Sequence, residues 1–390
     1  MQQLTGLLVY LLSCIGFAEL SVLMVNRSHA FAIKATHLRN FRRLHEVAIV
    51  AFPLVQFWHC GIGRYGLLTG GDFSHQTAFW QTILIATLLG TIPFFVGIIR
   101  WQWVRRFEFR KVATHEVFDV AAIARQTERI SDVRGTRWHP VKIWPWNEIL
   151  TLEVNVKKIQ TTNRIATQRR PLRIVHFSDL HFVDCPGPDF YRFMVERALE
   201  LNADAIVFTG DLIDKPELLP MAVEILRPLT KVAPCFFILG NHDWRYDYDH
   251  FRSTLVTSGW KCVTGRHERI KLGDRDVLFA GSELPWIGNA PPSAEFAGVD
   301  VRILLSHSPD QIQFAQKNGY DVMLSGHTHG GQVVLPIIGP VFAPSVYGVS
   351  FAAGLFQRQK LMLHVSRGIG AKDPLRWNCR PELTCLEVFC

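Results

Sequence analysis

Residues 321–331 read DVMLSGHTHGG, a short apolar run followed by one glycine and two histidines spaced by one residue. In extended chain, side chains two apart face the same side, so His327 and His329 can address one point. Working outward, four more apolar runs end in the same manner. RIVHFS (173–178) leads into Asp179-Leu180-His181, and AIVFTG (205–210) leads into Asp211. CFFILG (235–240) leads into Asn241-His242-Asp243, and RILLS (302–306) leads into His307. Further short runs, LTLEVNVKKI (150–159), VLFAG (277–281) and LMLHVS (361–366), have the texture of strands. FYRFMVERALELN (190–202) and ELLPMAVEILRPL (217–229) have the amphipathic texture of helices. Strand–helix alternation predicts a layered α/β domain over residues 148–390, long enough for a complete core.

In open α/β sheets ligands gather at the carboxyl ends of strands, so these five exits point at one place. Gly210, Gly240 and Gly326 stand just before the polar residues, where the turn needs permissive backbone angles and close approach to a ligand. A single DxH or HxH pair is common by chance, and a lone histidine at a strand end is usually a hydrogen-bonded surface group. Five ordered fragments, each after an apolar run, are not explained that way. The donors are carboxylates, imidazoles and one amide, without thiolate, which suits Mn²⁺, Fe²⁺ or Zn²⁺ better than Cu(I) or an iron–sulfur cluster. The seven residues Asp179, His181, Asp211, Asn241, His307, His327 and His329 are too many for one open tetrahedral site. They suit two divalent metal ions about 3.5–4 Å apart, an arrangement that clamps the attacking and leaving oxygens of phosphoryl displacement.

The set SDLH, GD, GNHD, a lone histidine after a strand and GHTHGGQ resembles the calcineurin-like metallophosphoesterase superfamily. The tail GGQVVLPIIGPVFAPSVYG (330–348) with HVSRGIG (364–370) and PLRWNCRPELTCLEV (374–388) resembles its bacterial membrane-associated branch. The likeness covers 148–390. It implies a β-sandwich flanked by helices in αββα layers, with one ion held by Asp179, His181 and His329. It implies a second ion held by Asn241, His307 and His327, with Asp211 bridging both. It further implies that His242 contacts the phosphate and assists the leaving group, and that Asp243 orients His242.

The first 147 residues lie outside that likeness. Hydrophobic residues make up 48% of the chain and charged ones 19%, which excludes a disordered or fibrous chain. Residues 1–170 hold 21 Lys and Arg against 10 Asp and Glu, while the rest hold 21 against 24. The basic excess therefore accompanies the apolar segments, and a catalytic part of net negative charge argues against nucleic acid as partner. Segments 4–25 and 79–99 are each long enough to cross a bilayer, and 47–58 is apolar but short. Basic loops flank them at 26–46 and beyond Arg100, whereas 60–78 carries only Arg64 and Asp72. Both basic loops are cytoplasmic only if 47–58 also crosses. The expectation is three spans within residues 1–110, the N-terminus outside, a connector over 111–147, and the catalytic domain on the cytoplasmic side of a cell inner membrane. No Lys or Arg precedes the first apolar run, so a cleaved signal peptide is not expected. The eight cysteines form no CxxC pair and read as free thiols.

Other residues carry weaker signals. His176, inside a strand, reads as a core or supporting residue rather than a ligand. Arg367 and Arg376 could each meet a substrate phosphate or stabilise the fold. Residues 283–299, with Trp286, read as a substrate lid or a passive loop, and Glu19 as a snorkelling or helix-bonding acid. The resulting expectation is a membrane-anchored dinuclear-metal hydrolase cleaving a phosphoester or pyrophosphate, with membrane lipids and a phosphorylated, lipid-linked substrate as partners. UDP-2,3-diacylglucosamine, cleaved by some membrane-associated members of the superfamily, is one such substrate. A phosphodiesterase acting on a soluble nucleotide stands as the alternative within the enzyme class, and a non-catalytic membrane-tethered scaffold or sensor as the alternative outside it. No obligate protein partner is expected.

Overall fold

The computed structural model describes residues 2–109, 111–127, 132, 133, 135, 144–161, 170–183, 185–292 and 298–390. The chain divides into two compact units, Met1–Trp103 with Ile337–Ser350, and Val104–Pro336 with Phe351–Cys390. The segment 337–350, expected within the catalytic domain, thus belongs to the first unit.

That unit is built on α1 (Gln2–Ser28), α2 (Ala35–Gln56) and most of α3 (Ala78–Phe109). Gln2–Ser28 and Ala78–Glu108 are long and apolar enough to cross a membrane. The third expected span does not meet that test. Its apolar residues fill only the second half of α2, while Arg39, Arg42 and Arg43, read as part of a loop, occupy the first half. That second half runs antiparallel along α1: Phe17 stacks on Phe52 at 4.0 Å between ring centroids, and Tyr10 donates to the Pro53 carbonyl at 2.8 Å. Small residues let α1 and α3 approach closely, as apolar helices in lipid require. A Cβ on Gly16 would lie 1.7 Å from the Thr87 carbonyl oxygen, and the Ser13 and Thr87 hydroxyls hydrogen-bond at 2.7 Å. Leu8, Leu54, Leu89, Phe95 and Ile99 stay exposed, the side chains a bilayer would cover. Segment 337–350 joins through Asn26, which accepts from the Ala343 amide at 3.1 Å, and through Phe342, edge-on to His29 at 5.6 Å.

The strands of the second unit's two large sheets, in chain order, are β1 (Val112–Asp119), β2 (Thr151–Gln160), β3 (Leu172–Phe177), β4 (Ala205–Thr209) and β5 (Cys235–Ile238). They continue with β6 (Lys261–Cys262), β7 (His267–Leu272), β8 (Arg275–Ser282) and β9 (Val301–Ser306). The last four are β10 (Val322–Ser325), β11 (Gly354–Arg358), β12 (Leu361–Val365) and β13 (Glu382–Phe389). One sheet has the order β1-β2-β13-β3-β4-β5-β6, the other β11-β12-β10-β9-β8-β7. Val112–Asp119, expected in a connector, is instead the edge strand of the first sheet, antiparallel to β2.

Alternation along each strand separates two cores. Ile174, Val207 and Phe236 face Val277, Phe279, Ile303 and Leu324 of the other sheet, with Phe236 stacked on Phe279 at 4.1 Å. Each such buried side chain contributes about 2 kcal/mol. The intervening residues Val175, Phe177, Ile206, Phe208 and Phe237 point the opposite way. They pack under α4 (Val120–Gln126), α5 (Pro188–Glu200), α6 (Leu219–Leu226) and α7 (Tyr248–Thr257). α8 (Ile312–Lys317) lies beside β12 on the other sheet. The unit is the expected helix-flanked β-sandwich. Within it β3, β4 and β5 run parallel, as do β8, β9, β10 and β12, so their carboxyl ends open onto shared turns.

Candidate metal centre

The turns leaving β3, β4, β5, β9 and β10 converge. Asp179 Oδ1 lies 3.5 Å from His329 Nε2 and 3.9 Å from His181 Nε2, and those two nitrogens are 3.0 Å apart. Asp211 Oδ2 lies 3.4 Å from His181 Nε2 and 3.3 Å from His307 Nε2, which is also 3.0 Å from Asn241 Oδ1. The donors group into Asp179, His181, Asp211 and His329 on one side and Asp211, His307 and His327 on the other. Asp211 belongs to both. All seven expected residues are brought together, and Asp179, His181, Asp211, His307 and His327 are buried.

His307 Nδ1 donates to the Thr209 carbonyl at 2.7 Å, which leaves its Nε2 lone pair facing an amide oxygen and a carboxylate. His181 Nδ1 is 2.9 Å from Asp214 Oδ2, so its Nε2 lone pair likewise faces Asp211 and the His329 nitrogen. Lone pairs facing lone pairs repel unless positive charge sits between them. Without ions, protons take that place: burial pulls both imidazoles down, but Asp214 and Asp211 outweigh it and raise His181 to about 9, and Asp211 does the same for His307, also to about 9. The donor set fits divalent cations.

The backbone is shaped for this convergence. Asp179, His181, Asp211, His327 and His329 all adopt positive φ between 43° and 71°, a region costly for side-chain-bearing residues. Gly326 is required by contact: a Cβ there would lie 1.9 Å from Ser178 Oγ and 2.2 Å from Asp179 Oδ2.

The structure corrects the expected role of Asp243. Its carboxylate accepts from the amides of Gly240, Asp211 and Leu212 at 2.8, 2.9 and 2.9 Å, tying the β4 and β5 turns together. Burial and the neighbouring Asp211 charge push it up to about 7. The acid that meets the His242 ring is Asp214, whose two oxygens address His242 Nδ1 and His181 Nδ1. Sequence reasoning missed Asp214; the available signal was a second acid three residues after Asp211.

Both arginines are engaged within the fold. Arg376 is fully buried and donates to the carbonyls of Arg367 and Gly370 at 2.7 and 2.6 Å, with Nη2 3.4 Å from His329 Nδ1. Arg367 is clamped between Glu153 and Glu382. These are the contacts of arginines that brace the fold. Trp286 is buried with its ring 4.9 Å from His327 and 5.6 Å from His307, so it packs on the imidazoles. Residues 293–297 of the expected lid lie outside the described residues. His176 is a buried core residue bonded to Thr209 and His364, as expected.

Residues 172–331 match the calcineurin-like phosphoesterase family model. Escherichia coli phosphodiesterase YaeI is 32% identical over 224 residues, covering 56% of this chain and 82% of that protein. The chain belongs to the calcineurin-like phosphoesterase family. The UDP-2,3-diacylglucosamine pyrophosphatase LpxG of Chlamydia trachomatis is 26% identical over 317 residues, 63% of this chain and 93% of that protein. A Danio rerio transmembrane protein with metallophosphoesterase domain is 27% identical over 265 residues, 61% of this chain and 56% of that protein. Metal-dependent phosphoester hydrolysis is the chemistry this family implies, and the convergent His and Asp residues are able to bind metals.

Proposed function

We propose that the chain is a membrane-anchored dinuclear-metal hydrolase that cleaves a phosphoester or pyrophosphate bond at the cytoplasmic face of the membrane. The observation that carries this reading is Asp211, whose carboxylate is common to both donor groups. One ion would be held by Asp179, His181 and His329, the other by Asn241, His307 and His327, with Asp211 between them. When bound, the pair supplies a lowered water pKa and positive charge opposite the phosphoryl oxygens. His242 faces Asp214 through Nδ1, so its Nε2 would give a proton to a phosphoryl or leaving-group oxygen only from the doubly protonated ring. Asp243 holds the β4 and β5 turns in register so that Asp211 and His242 keep their spacing.

The substrate we infer is phosphorylated and lipid-linked. Two helices apolar enough to span a membrane, together with the likeness to LpxG, favour UDP-2,3-diacylglucosamine as the compound to test. The higher identity to a phosphodiesterase favours a small phosphodiester as the second reading. The test uses the full chain in detergent micelles with Mn²⁺, offered UDP-2,3-diacylglucosamine and a generic aryl phosphodiester. Hydrolysis of the lipid-linked pyrophosphate at a kcat/KM at least 100-fold higher, abolished in Asp211→Asn, supports the first reading. Faster turnover of the small diester supports the second. No turnover of either with two ions bound would overturn both.

A further inference from the structure

The apolar layer between the sheets is crossed by a buried polar path. Lys157 on β2 and Glu382 on β13 are 1% exposed, and His364 on β12, His176 on β3 and Thr209 on β4 are fully buried. Lys157 Nζ lies 2.6 Å from Glu108 Oε1 in the last turn of α3, 2.7 Å from Glu382 Oε1 and 3.3 Å from His364 Nε2. His364 Nδ1 is 2.9 Å from His176 Nδ1, and His176 Nε2 is 2.9 Å from Thr209 Oγ1. The Thr209 carbonyl then accepts from His307 Nδ1 at 2.7 Å.

Hydrogens can run only one way along this path. An ammonium only donates, so His364 Nε2 accepts and the ring carries its hydrogen on Nδ1. That hydrogen goes to His176 Nδ1, so His176 carries its own on Nε2 and gives it to Thr209 Oγ1. Both rings are neutral in this arrangement, and burial pushes His176 down to about 3 and His364 well below its ordinary value. Burial also pulls Lys157 down, but Glu108 and Glu382 outweigh it and keep the ammonium charged. An apolar filling of equal volume would be as stable or more so, so packing alone gives no reason for this chain of groups.

We propose that Lys157, acting through His364 and His176, is a positioning residue of the metal centre that fixes Thr209 and so the His307 imidazole, and that Glu108 makes the last turn of α3 part of this support. The proposal rests on His307 being a metal ligand. His307 lies in one donor group and not in the other, so the path bears on one of the two ions.

The experiment is a Mn²⁺ titration of the full chain in detergent micelles by calorimetry and electron paramagnetic resonance, comparing the unaltered protein with Glu108→Gln and His364→Leu. The expected result is that one Mn²⁺ binds about 10-fold more weakly in each variant, within the range for groups that orient ligands, while the other binds unchanged. Glu108→Gln keeps the shape and a hydrogen bond, so it carries the test if His364→Leu does not fold. Equal weakening of both ions in step with a lowered thermal midpoint would overturn the proposal, as would unchanged binding of both. Failure of the unaltered chain to bind two Mn²⁺ would overturn the metal-centre reading itself, and this proposal with it.

Discussion

Replacing Arg367 with alanine separates a structural arginine from a substrate-binding one. Its guanidinium lies 2.5 Å from Glu153 Oε1 and 3.2 Å from Glu382 Oε2, and both acids are buried. Burial alone would raise Glu153, but Arg367 outweighs it and lowers the carboxyl from 4.5 to about 2. At 1.36 kcal/mol per unit, that differential interaction is worth about 3 kcal/mol. Breaking a buried pair typically costs about 3–5 kcal/mol because a charge is left uncompensated, so the two magnitudes agree. A carboxyl whose folded pKa lies below its unfolded value contributes fully above about pH 4.5 and loses that contribution as the pH falls toward 2. The contribution is therefore about 3 kcal/mol at pH 7 and about 1.4 kcal/mol at pH 3. Denaturant-dependent hydrogen exchange of the β2 and β13 amides, in the full chain, reads the opening free energy of those strands at both pH values. An opening free energy within 1 kcal/mol of the unaltered protein at pH 7, or a loss equally large at pH 3, would refute the reasoning. So would a rise in KM without any change in strand stability, since that is the signature of a phosphate contact.

Gly240→Ala would place a Cβ 2.1 Å from Asp211 Oδ1 and 2.5 Å from its amide nitrogen, displacing the carboxylate common to both donor groups. Activity should fall by about 100-fold or more, with Mn²⁺ content below two per chain by elemental analysis. His242→Ala should lower kcat by about 10²–10⁴ while both ions remain bound; loss of an ion would move His242 into the ligand set. Because His181 and His307 titrate at about 9 before ions bind, each must give up a proton to a metal at pH 7. Metal affinity should then climb with pH until about 9, and calorimetry in buffers of different ionisation enthalpy should register about two protons released. A pH-independent affinity would refute that account.

How much of this was legible in the sequence depends on whether a signal was local. The strand exits were, since a strand buried on both faces writes a short apolar run and the donors follow it directly. The edge strand Val112–Asp119 was not. It is exposed at most positions and carries no alternation, and its strand state comes from pairing with β2 some forty residues away. The polar half of α2 read as a loop because charge hides helix periodicity when no face is buried. The membership of 337–350 in the first unit depends on Asn26 and His29, more than three hundred residues earlier, and no window along the chain contains both. Arg367 and Arg376 illustrate the same limit. An arginine's letter does not say whether its partners are a ligand or buried carbonyls and carboxylates.

The positive-φ residues show why the site sits where it does. Each costs on the order of 1–3 kcal/mol, and five of them in one cluster approach the whole stability of an ordinary domain. Such a cluster persists only where rigid neighbours leave no alternative. β3, β4 and β10 deliver their chains into the turns from a close-packed sandwich, and cross-turn bonds then lock them. Asp179 accepts from the His327 amide at 3.0 Å, Asp211 from the His242 amide at 2.8 Å, and Asp243 from three amides at once. Asp179 and Asp211 thus have two uses, one fixing a backbone and one facing the donors opposite. Alanine at either position would keep the positive φ and leave the opposite amide without its acceptor, so such a variant should lose ions and thermal stability together.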